Sequence, residues 1–157
     1  MRMTSNTDPL LSILEEQSAA RRAELAAEWP TAKQVGLAMG LDLEDASRTV
    51  TKYRREGRLL GVYMVDPEHH WRFPIWQFDD RHQPIVRFAD VLQVLRGHGP
   101  YLDERGLTSG WGEVEWFLSG HVLLDGQAPF EVLHQDPDAV IEAARVEYIE
   151  EGNDVGF

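Results

Sequence analysis

Cysteine is absent from the 157 residues, which excludes a disulfide framework, a thiolate metal site and a cysteine nucleophile. Long apolar runs are missing as well. No stretch approaches the roughly 18 to 20 residues of a membrane span, and the polar start Met1 to Asp8 lacks the apolar core of a secretion signal. Basic residues are few, 15 Lys and Arg against 27 Asp and Glu. There is no glycine-rich phosphate loop, no G-x-S-x-G elbow and no HExxH helix. These absences lead to the expectation of a soluble, cytoplasmic, non-enzymatic protein without a cofactor or metal.

A hydrophobic fraction of 43% with 10% aromatics is enough to build a core. Charge is distributed unevenly. Residues 31–60 hold 6 basic and 4 acidic side chains, whereas residues 101–157 hold 2 and 13. Phosphate is repelled by the acidic end, so weak non-specific DNA affinity is expected, while the basic segment can still dock through positioned contacts. The acidic end either keeps its helices in solution or meets a protein partner.

Local signals divide the chain. Asp8-Pro9 is a helix start, with a carboxylate at the N-cap and proline where its missing N–H costs nothing. Leu10, Leu11, Leu14 and Leu25 give a partial apolar stripe on an N-terminal arm, residues 1–30, that ends near Trp29-Pro30. The arm either packs on its own domain or pairs with a second copy. Thr31 to Gln34 has capping-box spacing, and Gly40 ends the short helix it opens. A second helix, Leu43 to Glu56, carries Ala46, Val50 and Tyr53 on one side and Arg48, Thr51, Lys52 and Arg55 towards the other. Gly57 is the expected cap, leaving Arg58 at the start of a ribbon. Leu60 to Val65, a turn at Asp66-Pro67-Glu68 and a return over Trp71 to Phe78 complete that ribbon, with His69, His70 and Arg72 near its tip.

Helix, break, cationic helix and ribbon in this order form a winged helix-turn-helix over residues 31–80. Its candidate DNA-binding residues are Arg48, Thr51, Lys52, Arg55, Arg58 and Arg72, since long cations and a hydroxyl on one exposed face suit phosphates and base edges. The polar stretch Asp79 to Pro84 is the candidate boundary. Beyond it, residues 85–151 read as a helical domain with helices around Phe88 to Leu95, Trp111 to Leu118, Phe130 to Leu133 and Val140 to Tyr148. Residues 152–157 are expected to be a flexible tail. The fold class is therefore mainly α with a small β-hairpin, an N-terminal winged helix-turn-helix followed by a C-terminal helical domain.

Several runs in this order resemble the MbcA/ParS/Xre-type antitoxins, the partners of RES-domain toxins. In the first half they are Arg54 to Val62 and the aromatic element Phe73-Pro74-Ile75-Trp76-Gln77-Phe78. In the second they are Trp116-Phe117-Leu118, Leu124 to Pro129, and Asp136 to Val140 with Ala143-Ala144. The resemblance covers about residues 31 to 148 and leaves out the arm. It implies an antitoxin that binds and occludes a NAD-consuming toxin and represses its own operon, with no NAD chemistry of its own.

Under that reading Trp111, Trp116, Phe130 and Tyr148 are candidate partner-binding anchors, although aromatics at helical spacing are more often core. Glu113, Glu115 and His121, or Glu131 and His134, supply the raw material for acid–base or metal chemistry, but both sets need ligands from elsewhere. The expected partners are operator DNA, a RES-domain toxin and a second copy in a homodimer, with no membrane partner. The alternatives are a stand-alone helix-turn-helix regulator and a protein-interaction module without DNA binding.

Overall fold

Two helix starts in the sequence appear as side-chain caps. The Asp8 carboxylate accepts from the Leu10 N–H at 2.9 Å ahead of α1 (Pro9–Ala27). Thr31 and Gln34 close a reciprocal capping box ahead of α2 (Ala32–Ala38). Gly40 then takes a left-handed φ of 92° and turns the chain. The next helix starts later than expected, as α3 (Ala46–Arg55), because the Asp42 carbonyl accepts from Asp45 and Ala46 and holds residues 42–45 in a turn.

The computed structural model describes residues 8–150, so the expected tail at 152–157 lies outside the described residues. Among the described residues the chain is mainly helical with one two-stranded antiparallel sheet. The strands β1 (Val62–Met64) and β2 (His70–Arg72) pair Val62 with Arg72, Tyr63 with Trp71 and Met64 with His70. After the ribbon come α4 (Phe88–His98), α5 (Trp111–Leu118), α6 (Pro129–Val132) and α7 (Pro137–Arg145), the last running into a π-helical turn, Val146–Glu150. No helix among the described residues is long and apolar enough to cross a membrane.

The return strand is shorter than its composition suggests. Phe73 turns its ring fully into the α2–α3 core, and Ile75–Gln77 winds into a 3-10 turn. Gln77 explains the change of conformation. Its buried side chain accepts from the Leu60 N–H at 2.8 Å and donates to the Leu60 carbonyl at 2.8 Å and the Pro74 carbonyl at 3.0 Å. A side-chain amide thus does for Leu60 what a neighbouring strand would do.

Two cores meet at this point. Val35, Val50, Leu59 and Phe73 form the smaller one, between α2, α3 and the ribbon. Leu60 and Val62 face instead into the larger core with Phe88, Leu92, Leu95, Phe117 and Val140. Consecutive side chains of extended backbone point to opposite faces, so Leu59 and Leu60 serve different cores. The polar stretch 79–84 forms a tight turn. Asp79 accepts from the backbone of Arg81 and Gln83 at 2.8 and 3.0 Å, and Phe78 bridges to Pro84. The bonds from Gln83 and Arg81 hold the exposed Asp79 carboxyl below its ordinary pKa.

The far edge of β1 is occupied as well. Tyr63 donates its N–H to the Ser109 carbonyl at 2.8 Å, and the Trp111 indole donates to the Tyr63 carbonyl at 3.1 Å. Gly110 sits here with φ of 86°, so close that an added Cβ would lie 1.9 Å from the Gly61 carbonyl oxygen. Only glycine fits that approach.

Gln77→Met keeps the volume of the side chain and strands the two Leu60 main-chain groups in an apolar setting. The expected loss is about 2–3 kcal/mol in urea unfolding, read as a lower midpoint with an unchanged slope.

Candidate nucleic-acid interface

The apolar spacing of α3 decides which way its cations point. Ala46 and Val50 are fully buried and Tyr53 packs at the edge of the smaller core. The residues 48, 52 and 55, one turn apart on the other side, therefore emerge together into solvent. Arg48 and Lys52 are 80% and 69% exposed, and Arg55 is exposed with no ion pair among the described residues. Thr51 is half-buried beside them. Arg58 is exposed just past the helix, its guanidinium 3.9 Å over the Tyr53 ring.

Carboxylates of the same segment hold three of these cations. Arg48 meets Asp45 at 2.5 Å, while Glu56 lies between Lys52 at 4.0 Å and Arg58 at 3.6 Å. Exposed pairs of this kind contribute at most about 1 kcal/mol and exchange readily with other anions.

Arg72 does not sit near the ribbon tip, where the sequence suggested it. It pairs with Val62 and bridges to Thr31 at the base of the ribbon, and its guanidinium donates to the Trp29 carbonyl at 2.9 Å. The register pairs Met64 with His70, which puts the tip at residues 65–69, and Arg72 opposite Val62 lies at the other end of the paired strands. Near the tip, the His69 ring bonds the Tyr63 hydroxyl and His70 bonds the Glu68 carbonyl at 2.6 Å.

Arg54 is the residue that sequence reasoning passed over. It leaves the inner edge of α3 and lays its guanidinium 3.6 Å over the Trp71 ring, fastening helix to ribbon by a cation–π contact. Burial above all, then the neighbouring Arg55 and Arg96, lower its pKa from the ordinary arginine value. Helical spacing alone could place Arg54 at the edge of the cationic face but could not name an indole on a later strand as its seat.

The four candidate anchors of the C-terminal half are all engaged within the chain. Trp111 is buried, stacked on Trp29 with ring centroids 6.1 Å apart. Trp116 is buried and donates its indole N–H to Glu147 at 2.8 Å. Phe130 is half-buried against Trp76, and the half-buried Tyr148 bonds the Tyr101 hydroxyl at 2.5 Å. Open apolar surface in this half belongs to aliphatic side chains, among them Val86 at 76%, Leu107 at 52%, Val122 at 84% and Leu123 at 51% exposure.

The titratable candidates are dispersed. Glu113 is completely buried and binds Arg96 at 2.9 Å and the Thr108 hydroxyl at 3.0 Å. Glu115, on the same helix, is exposed. His121 meets Glu147 at 3.0 Å in the separate Trp116 network. Glu131 accepts from the Ala128 N–H at 3.0 Å, and His134 bonds the Trp76 carbonyl at 2.9 Å. Among the described residues no three His, Asp or Glu side chains converge as metal ligands would. A cleft of about 1540 Å³ opens between the end of α3 and α4. Arginines 54, 55 and 96 and the acids Glu56, Asp90 and Asp103 all line it, so the lining is mixed in charge.

Glu113→Ala leaves the Arg96 guanidinium, 15% exposed, without its counter-ion. The expected loss is about 3 kcal/mol in denaturant unfolding, and adding Arg96→Met to that variant should recover part of it. Compared with known proteins, the chain matches no family model, no curated sequence and no solved structure.

Proposed function

We propose that residues 31–80 form a DNA-binding winged helix-turn-helix and that the helices beyond residue 85 hold a protein partner, the chain acting as an antitoxin-type autorepressor. In this reading α3 enters a major groove and Arg48, Lys52 and Arg55 reach base edges and phosphates, with Arg58 on the flanking backbone. The observation that carries it is the shared exposure of those three cations on one face of a helix followed at once by a β-ribbon. Arg72 has no part in it, being tied to Trp29.

The partner proposed is a RES-domain toxin, on the strength of the motif runs between Trp116 and Ala144. The excess of 13 acidic over 2 basic residues in 101–157 supports electrostatic steering of a basic partner. With Trp111 and Trp116 buried and Phe130 and Tyr148 half-buried against neighbours in the chain, exposed Val122 and Leu123 and the outward acids Glu142 and Glu150 become the contact candidates. A second reading, an interaction module without DNA binding, is favoured by one observation, the neutralisation of Arg48, Lys52 and Arg58 by Asp45 and Glu56. A stand-alone regulator without a toxin is the third.

Fluorescence anisotropy on the DNA upstream of the gene separates these readings. Arg48→Ala/Lys52→Ala/Arg55→Ala should lower affinity at least tenfold, leave the melting temperature unchanged, and reduce the log–log salt slope by about 2 to 3. Absence of binding by the unaltered protein at low salt would remove the DNA role.

Glu142→Lys/Glu150→Lys should weaken rescue of growth from a co-expressed RES-domain toxin encoded beside the gene, with DNA affinity unchanged. Full rescue by that variant would move the contact surface elsewhere.

A further inference from the structure

The cleft between the end of α3 and α4, about 1540 Å³, is larger than the roughly 300 to 1,000 Å³ of ordinary small-molecule sites. Size therefore selects no occupant, and charge has to. The three acids in its lining are already engaged. Asp90 pairs with Arg87 at 3.1 Å, Glu56 lies between Lys52 and Arg58, and the Asp103 carboxylate accepts from the Arg105 and Leu107 N–H groups at 2.8 and 2.9 Å. Among the described residues none of these acids pairs with Arg54, Arg55 or Arg96.

Two of the cleft arginines are thus left without a counter-ion among the described residues. Arg55 is exposed. Arg54 is half-buried, its stem crossing Gly61 so closely that an added Cβ would lie 2.8 Å from Arg54 Cδ, and the face of its guanidinium covers Trp71. That contact leaves the N–H groups at the guanidinium edge to find acceptors, and Nε has none. Arg96 gives Nε to Glu113 and brings Nη1 to the end of α3, 3.8 Å from where a Cβ on Gly57 would lie. Burial first, then Arg55 and Arg96, lower the Arg54 pKa. An anion in the cleft relieves this crowding of like charge, and its attraction is screened less there than on the open face of α3. Three guanidinium forks offer more donors than the two oxygens of a carboxylate accept, whereas a phosphate brings three terminal oxygens and about two charges.

We infer that the Arg54–Arg55 end of this cleft binds a phosphate group, with Arg96 adding charge behind it. The inference does not rest on DNA binding or on a toxin. A free phosphorylated compound and a DNA backbone offer the same chemistry, and experiment separates them.

Isothermal titration of the full chain with sodium pyrophosphate at low ionic strength should show saturable binding of one ion per chain. Arg55→Ala and Arg54→Met should each weaken it by roughly tenfold. Arg48→Ala/Lys52→Ala, which removes two cations from the same helix but none from the cleft, should leave it unchanged. Arg55 is exposed, so its replacement leaves the core intact and carries the test even where Arg54→Met lowers stability. Pyrophosphate binding that is abolished by a duplex of the DNA upstream of the gene identifies a backbone phosphate as the occupant, and binding that persists identifies a free phosphorylated compound. Absence of saturable binding at millimolar pyrophosphate, an equal loss in Arg48→Ala/Lys52→Ala, or full affinity in Arg55→Ala would each overturn the inference.

Discussion

The backbone from Leu60 to Tyr63 has to be satisfied from both sides, and the architecture is arranged around that requirement. Buried main-chain donors and acceptors left without partners cost more than most side-chain contacts return. Gln77 supplies both bonds for Leu60, while Ser109 and the Trp111 indole supply those for Tyr63. With the main chain settled, Leu59 and Leu60 are free to send their side chains into separate cores. The two halves of the molecule are therefore joined by hydrogen bonds at the ribbon as well as by apolar contact.

Features set by neighbours in sequence were legible from the residues alone. The Asp8 cap, the Thr31–Gln34 box, the glycine turns at 40 and 57 and the proline starts of α6 and α7 all depend on atoms a few positions apart. The outward face of α3 was legible for the same reason, since helical spacing fixes it. What the sequence hid depends on distant partners. Gln77 reads as a polar residue on a strand until Leu60 is beside it, and Glu113 reads with Glu115 and His121 as raw material for acid–base or metal chemistry until Arg96 and Thr108 are beside it. Composition runs the return strand from Trp71 to Phe78 and so starts it near Arg72 at the tip, whereas the paired strand ends at Arg72, opposite Val62 at the base.

Electrostatics on α3 combine opposing tendencies. The helix presents cations to solvent and supplies local carboxylates to hold them, so any polyanion has to compete with Asp45 and Glu56 before it gains a contact. Such competition weakens loose association more than docking with several simultaneous contacts. A chain with a formal charge of −12 adds long-range repulsion of the same kind, which screening by salt reduces.

The glycine pair at positions 61 and 110 has a mechanical consequence. Where two main chains touch with no side chains between them, there is no compliant layer to shear, so the ribbon and the first turn of α5 translate and rotate together. Any bulkier residue at position 110 would act as a wedge that prises the two apart.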